Sequence, residues 1–249
     1  MLAPPITPRA GIDRALRDQG HAVLAPTDLA ALSGPSGETL VSWWPSWDRL
    51  PPDAHLRDGG HYRRRRHSCF VLDGQALTQV PHRAHWQPVE YNALHGGIER
   101  WFEPVEPALA ADASWRRLLV MLGARASALR GAQTWFVEAH QFRIDTAGGI
   151  GRPTPEGAHR DGVDLVAVML VRRHAVKGGE TRVFDAAGPS GLRFTMQEPG
   201  TTLLLDDARV IHETTPIQPD AADAAGVAGV AGVRDTLVVT LRAGGFQGP

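Results

Sequence analysis

The feature that most constrains the fold is a long series of short β-rich segments that begins at Thr134. Each segment is bounded by glycine, proline or aspartate, which favour turns. Many short strands after a helical lead-in are typical of a barrel or jelly roll with helices that buttress one face. The sequence therefore predicts a mainly β, cupin-like jelly-roll core with N-terminal and buttressing α-helices. The predicted strands lie at residues 135–144, 165–172, 181–184, 192–196, 201–205, 209–212 and 236–241.

The segments before Thr134 are predicted to supply the helices and a first hairpin. Apolar residues at helical spacing indicate helices, and Asp-Gly between two β-rich runs indicates a two-residue hairpin turn. The predicted elements are a helix at 9–18, a strand at 21–24, a helix that begins near Thr27 and ends before Gly34, hairpin strands at 69–73 and 76–80, and a support helix at about 114–130.

The length of 249 residues predicts one domain that covers residues 1–249. Residues 1–66 form a helical and loop lead-in, within which 33–66 are predicted to be loop because they are rich in proline and tryptophan. Residues 67–243 form the β core. The alanine- and glycine-rich segment 220–233 is predicted to be a flexible surface loop before the last strand.

Composition argues against several classes of protein. The net charge of −1 lacks the basic excess of a nucleic-acid-binding surface. The single cysteine, Cys69, excludes an internal disulfide framework and is compatible with a reducing compartment. The N-terminus has no secretory pattern, and no stretch reaches the ~18 apolar residues of a membrane span. We therefore expect a cytoplasmic protein that binds neither nucleic acid nor membrane.

Three residues carry the strongest chemical signal: His159, Asp161 and His212. Two histidines and one carboxylate are the ligand set of facial-triad non-heme Fe(II) oxygenases. Side chains at positions i and i+2 of an extended chain point to the same side, so His159 and Asp161 can bind the same ion. His212, on a distant strand, would supply the third ligand. A short His-x-Asp motif also occurs by chance in polar loops.

Further motifs around these residues are specific when taken together. The chain resembles the Fe(II)/2-oxoglutarate-dependent dioxygenases built on the double-stranded β-helix, and within them the bacterial group that includes the free-L-isoleucine hydroxylases. The resemblance covers roughly residues 60 to 242. It rests on Tyr91-Asn92-x-x-His95-Gly96-Gly97, Glu138-x-His140-Gln141-x-Arg143, Gly157-Ala158-His159-Arg160-Asp161-Gly162, Lys177-Gly178-Gly179-Glu180-Thr181-Arg182, Leu205-Asp206-Asp207-Ala208-Arg209-Val210-Ile211-His212 and Arg234-Asp235-Thr236.

The resemblance implies an enzyme that binds Fe(II) through His159, Asp161 and His212, with 2-oxoglutarate and O2 on the open face. It implies decarboxylation of 2-oxoglutarate to succinate and CO2, with ascorbate as the reductant in vitro. The implied reaction is hydroxylation of a small molecule, a free aliphatic L-amino acid or a close derivative. Related halogenases lack the carboxylate at the position of Asp161, so its presence favours hydroxylation.

The resemblance also implies a site for the distal carboxylate of 2-oxoglutarate. The family places a cation on the final strand, two residues before a Ser or Thr hydroxyl, and Arg234 and Thr236 match that pattern. Arginine suits the role because it presents two parallel donors. The segment between His212 and Arg234 is longer than usual, which leaves Arg242, of the same strand parity, as the alternative.

Weaker candidates concern the substrate. Arg143, with Gln141 beside it, could hold a carboxylate if this face of its strand points inward, and His95 could line the mouth of the site. The basic run 63–66 is either a solvated face or a source of one arginine for an anionic substrate group. The alternative function is a metal-binding, cupin-like sensor or binding protein without 2-oxoglutarate turnover.

Overall fold

The computed structural model describes residues 1–32, 34–220 and 231–249. Five α-helices occur in this part of the chain, three before the first hairpin and two after it. A 3-10 turn at Arg9–Gly11 leads directly into the first helix. The helices are α1 (Ile12–Gln19), α2 (Pro26–Ala31), α3 (Gly37–Asp48), α4 (Pro107–Ala110) and α5 (Ala113–Arg130).

Antiparallel strands form the rest of the fold. Seven of them make the main sheet, in the order β1-β9-β5-β12-β4-β2-β3, which lies opposite a three-stranded sheet β10-β7-β8; β11 and β6 form a separate pair. The strands are β1 (His21–Leu24), β2 (Arg63–Asp73), β3 (Ala76–Gln79), β4 (Trp135–Asp145), β5 (Leu165–His174), β6 (Val176–Gly178), β7 (Thr181–Asp185), β8 (Gly191–Phe194), β9 (Thr202–Asp206), β10 (Val210–Thr214), β11 (Ile217–Pro219) and β12 (Val233–Ala243).

The two faces of the main sheet have different surroundings. The odd-numbered residues of β4 and β12, among them Val137 and Leu237, pack against the helices in the largest apolar cluster. Trp115 of α5 and Trp47 of α3 are fully buried in that cluster. The even-numbered residues of both strands face the inside of the jelly roll, where a cavity opens. The predicted mainly β jelly-roll fold with buttressing helices is confirmed.

Part of the predicted lead-in was wrong. Residues 33–66 were expected to be loop, yet they contain the helix α3, whose N-cap Ser36 accepts a hydrogen bond from the amide of Thr39 at 3.2 Å. The helix includes Pro45, which opposes helix formation locally. Burial of Leu40, Trp43 and Trp47 supplies the tertiary packing that outweighs this local preference.

The β core was predicted to begin at residue 67, and it begins four residues earlier. Strand β2 begins at Arg63, so the basic run lies in the sheet, where alternation buries Arg63 and Arg65 and leaves Arg64 and Arg66 more accessible. The predicted flexible segment 220–233 falls largely on residues 221–230, outside the described residues. No helix of the described residues is long and apolar enough to cross a membrane.

Candidate metal centre and active site

The structure brings His159, Asp161 and His212 together at one end of the jelly roll, and we call these three residues the triad. Their ligand atoms all lie within 4.8 Å of one another. The Nε2 atom of His159 lies 4.0 Å from Asp161 Oδ1, and Nε2 of His212 lies 3.8 Å from Asp161 Oδ2. Two backbone hydrogen bonds between His159 and His212, at 3.1 and 2.9 Å, join the segment before β5 to β10.

The backbone around Asp161 is held by one buried carboxylate. Asp207 accepts hydrogen bonds from the amides of Asp161, Gly162 and Val163 at 3.0, 2.7 and 3.1 Å. Residues 160 and 161 have no regular secondary structure, so these bonds replace the strand geometry that the sequence had suggested. They fix the direction of the Asp161 side chain relative to the two histidines.

Side-chain hydrogen bonds orient two members of the triad. Nδ1 of His159 donates to the carbonyl of Gly157 at 2.9 Å, which leaves the Nε2 lone pair available for a metal ion. Gln87 donates to Asp161 Oδ1 at 3.1 Å, and its own carbonyl accepts from Arg100 at 2.8 Å. Such contacts behind the ligands set the orientation and basicity of a metal site.

Electrostatics within the triad reflect burial and close charges. Burial, with the nearby His159, lowers the pKa of His212 to about 3, so its imidazole is neutral at neutral pH. Burial also lowers the pKa of His159, but the carboxylates of Asp161 and Glu156 raise it by more, and the result lies above the usual value. Burial raises the pKa of Asp161. A divalent cation would favour the neutral imidazoles and the ionised carboxylate.

The triad opens into a cavity that is also lined by Arg234 and Thr236 of β12. Arg234 is only 3% exposed, and its Nε and Nη2 atoms have no hydrogen-bond partner. A buried guanidinium with unused donors is costly unless an anion pairs with it. Arg242 lines the same cavity, but it donates to the backbone carbonyl of Gly245 at 2.7 Å and is less buried.

These features fit Fe(II) and 2-oxoglutarate. Two imidazoles and a carboxylate on one side of an ion leave the positions facing the cavity open. The unused donors of Arg234, which lines the same cavity, suit the distal carboxylate of a dicarboxylic acid.

The structure does not bring Arg143 and Gln141 to this site. They occupy odd-numbered positions of β4 and therefore face the helices. Arg143 pairs in a bidentate manner with Asp235, at 2.7 and 2.8 Å, and Gln141 donates to Ser46 at 3.1 Å. The inward face of β4 carries Glu138, His140 and Phe142 instead. Both faces of β4 are buried, so the strand lacks the alternation of polar and apolar residues that would show which side chains point inward.

The structure places His95 in the lining of the cavity, where it is 1% exposed. Sequence reasoning missed Gln87, Arg65 and Arg100, which line it as well. The basic run offered a signal for Arg65, since alternation in a strand would have placed it with Arg63 on one face. Nothing in the sequence marks Gln87 or Arg100.

Comparison with known proteins identifies the class. A family model of 2OG-Fe dioxygenases matches residues 44–240. The chain therefore belongs to this family, and it is a 2-oxoglutarate-dependent dioxygenase that uses Fe(II), 2-oxoglutarate and O2. This confirms the predicted enzyme class and gives no support to a sensor without turnover.

The solved structure of a bsmA homolog from Methylobium petroleophilum PM1 is 54% identical to this chain, with a TM-score of 0.91. The alignment covers 99% of this chain and 98% of the homolog. More distant structures share the fold. IDO from Bacillus thuringiensis is 15% identical, and the alignment covers 97% of this chain and 98% of IDO, with a TM-score of 0.74. The Fe(II)/(alpha)ketoglutarate-dependent dioxygenase TqaL is 18% identical, and the alignment covers 94% of this chain and 86% of TqaL, with a TM-score of 0.69. No curated protein matches the chain in sequence.

Proposed function

We propose that the triad binds the Fe(II) ion, that Arg234 and Thr236 bind the distal carboxylate of 2-oxoglutarate, and that the enzyme hydroxylates a free aliphatic L-amino acid or a close derivative. The observation that carries the proposal is the single cavity shared by the triad and the unpaired guanidinium of Arg234. It offers one anchor to a metal ion and another to an anion.

With iron and 2-oxoglutarate bound, the site supplies oxidative decarboxylation of 2-oxoglutarate coupled to insertion of one oxygen atom into a C–H bond. The chain's own residues position the reactants. Gln87 holds Oδ1 of Asp161, and Asp207 holds the backbone that carries Asp161. Val163, Val168 and Val238 line the cavity with apolar surface, which reduces the access of water.

Support for an amino-acid substrate comes from two further arginines in the cavity. Arg65 is 4% exposed and lies between the rings of Phe102 and Phe142, with its guanidinium carbon 4.0 and 4.5 Å from their centroids. Nε of Arg65 and Nε of Arg100 have no hydrogen-bond partner. Two buried guanidinium groups with unused donors favour a substrate with a carboxylate, and the valine side chains suit an aliphatic group.

The test is a substrate screen. Wild-type enzyme is incubated with Fe(II), ascorbate and 2-oxoglutarate, with each standard L-amino acid or its N-acyl form, and both succinate and a product heavier by one oxygen atom are measured. We expect one aliphatic compound to stimulate succinate formation and to gain oxygen. Arg65→Met should raise the KM for that compound, whereas Arg64→Met, on the more exposed face of the same strand, should not.

If neutral compounds without a carboxylate are oxidised as efficiently as the amino acids, the substrate proposal is wrong. If succinate formation needs no member of the triad, the metal assignment is wrong. The two results are independent of each other.

A further inference from the structure

A second group of metal-ligating side chains lies in the jelly roll, and three of its four members line the same cavity as the triad. It consists of His67 on β2, Glu138 and His140 on β4, and His85 in the segment after β3. We call these four residues the histidine cluster. Strand pairing places His67 opposite His140, and all four side chains are buried. One ligand atom from each lies within 4.8 Å of the other three.

Three imidazoles converge on one carboxylate oxygen. Oε2 of Glu138 lies 2.9 Å from His67 Nε2, 2.6 Å from His85 Nδ1 and 3.6 Å from His140 Nε2. The three histidines come from three separate segments, so local chain geometry does not force this arrangement. Ligands gathered from separate strands and a loop around one point are what binding of a single ion requires.

The negative charge of Glu138 also favours a bound cation. Within the described residues, no arginine or lysine forms an ion pair with this carboxylate. Arg65 instead donates to Nδ1 of His140 at 2.8 Å. Arg65 and Arg100 act on Glu138 only through space, so its direct partners are imidazoles. A divalent ion would place a positive charge in contact with this buried carboxylate while the imidazoles stay neutral.

The hydrogen bond from Arg65 decides which atoms are available. Arginine is always a donor, so Nδ1 of His140 must accept, and a neutral His140 carries its proton on Nε2. That nitrogen cannot bind a metal ion without losing its proton. His67 and His85 donate to Glu138 through Nε2 and Nδ1, but each can shift its proton to its other ring nitrogen, which for His67 has no partner. His140 cannot do so, because its other ring nitrogen accepts from Arg65. The atoms that can bind an ion are then Nε2 of His67, Nδ1 of His85 and one oxygen of Glu138.

We propose that His67, His85 and Glu138 bind a second divalent transition-metal ion, distinct from the ion of the triad. Imidazole and carboxylate ligands suit Zn, Fe, Cu and Ni, and availability rather than affinity usually selects among them. Zinc is the natural probe because Cys69 Sγ lies 3.3 Å from His67 Nε2 and offers a soft donor nearby. An ion bound here would tie the segment of His85 to the sheet, and that segment also carries Gln87, which contacts Asp161.

Metal stoichiometry of the full-length chain tests the proposal. Metal-free protein is saturated with Zn(II), freed of loosely bound metal by gel filtration, and analysed for zinc per chain. We expect two ions for wild type, one for His85→Ala, one for the double variant His159→Ala/His212→Ala, and none when all three changes are combined. His82→Ala is the matched control, because His82 contacts the carbonyl of Phe102 and lies outside the histidine cluster; it should keep two ions.

One ion in wild type together with none in His159→Ala/His212→Ala would overturn the second site. One ion that is lost in His85→Ala but kept in the double variant would support the second site and contradict the triad, so the two assignments fail separately. Anomalous diffraction from wild-type crystals soaked in zinc removes any dependence on variant folding. Density between His67, His85 and Glu138 supports the proposal, and density at the triad alone refutes it.

Discussion

Replacement of Arg234 by alanine tests the 2-oxoglutarate site most sharply. The guanidinium is 3% exposed, and two of its nitrogen atoms lack partners, so both are free to bind a carboxylate. Truncating one partner of a buried, hydrogen-bonded charge pair costs about 2–5 kcal/mol. Since about 1.4 kcal/mol corresponds to a tenfold change, we expect the KM for 2-oxoglutarate to rise by about a hundredfold or more.

The assay is succinate formation at saturating Fe(II), with anaerobic calorimetry to measure 2-oxoglutarate binding directly. Arg234→Lys should recover only part of the loss, because an ammonium group cannot present two parallel donors. Without 2-oxoglutarate, Arg234→Ala should melt at no lower a temperature than wild type, since it removes a buried cation that has unused donors. Fe(II) affinity should be unchanged.

Arg242→Ala is the control for this reasoning. Its guanidinium already bonds to the carbonyl of Gly245, so a small effect on KM is expected. A steep rise in KM for Arg242→Ala, with wild-type KM for Arg234→Ala, would refute the assignment and move the carboxylate site to Arg242.

Four further outcomes are expected. Asp161→Gly should abolish hydroxylation without efficient chlorination in chloride buffer, as mass analysis of products can show, because the contacts that would hold a halide are missing. Asp207→Ala should weaken Fe(II) binding by about 10- to 100-fold in titrations, since it leaves three backbone amides without their acceptor. Fe(II) affinity measured across pH should fall on the acid side, through the raised pKa of His159, because below that pKa a proton occupies the imidazole that must bind the metal. Trp115→Ala should lower the free energy of unfolding by about 3–5 kcal/mol in urea denaturation, since the side chain is fully buried in the main core.

The sequence predicted the jelly roll well because its strands are short, β-rich and separated by turn residues. It missed the helix α3, since proline and tryptophan in residues 37–48 conceal a helix that packing against the core stabilises. The spacing of His159, Asp161 and His212 matches a ligand set, and the structure brings these three side chains together. Their geometry was not foreseen: Asp161 is positioned by Asp207 rather than by a regular strand.

The direction of β4 marks the limit of sequence reasoning. This strand is buried on both faces, so alternation could not tell whether Glu138 and His140 or Gln141 and Arg143 point inward. The histidine cluster was invisible for a related reason. Its members lie far apart in the chain, and only the pairing of β2 with β4 brings His67 opposite His140.

We propose above all that the triad holds the iron ion at which O2 oxidises 2-oxoglutarate. The most direct test compares wild type with His212→Ala for succinate formation at limiting Fe(II), with ascorbate present. We expect iron-dependent succinate from wild type and none from the variant, since loss of one of three ligands leaves the ion too weakly held for turnover. Wild-type succinate formation by His212→Ala at limiting Fe(II) would contradict it.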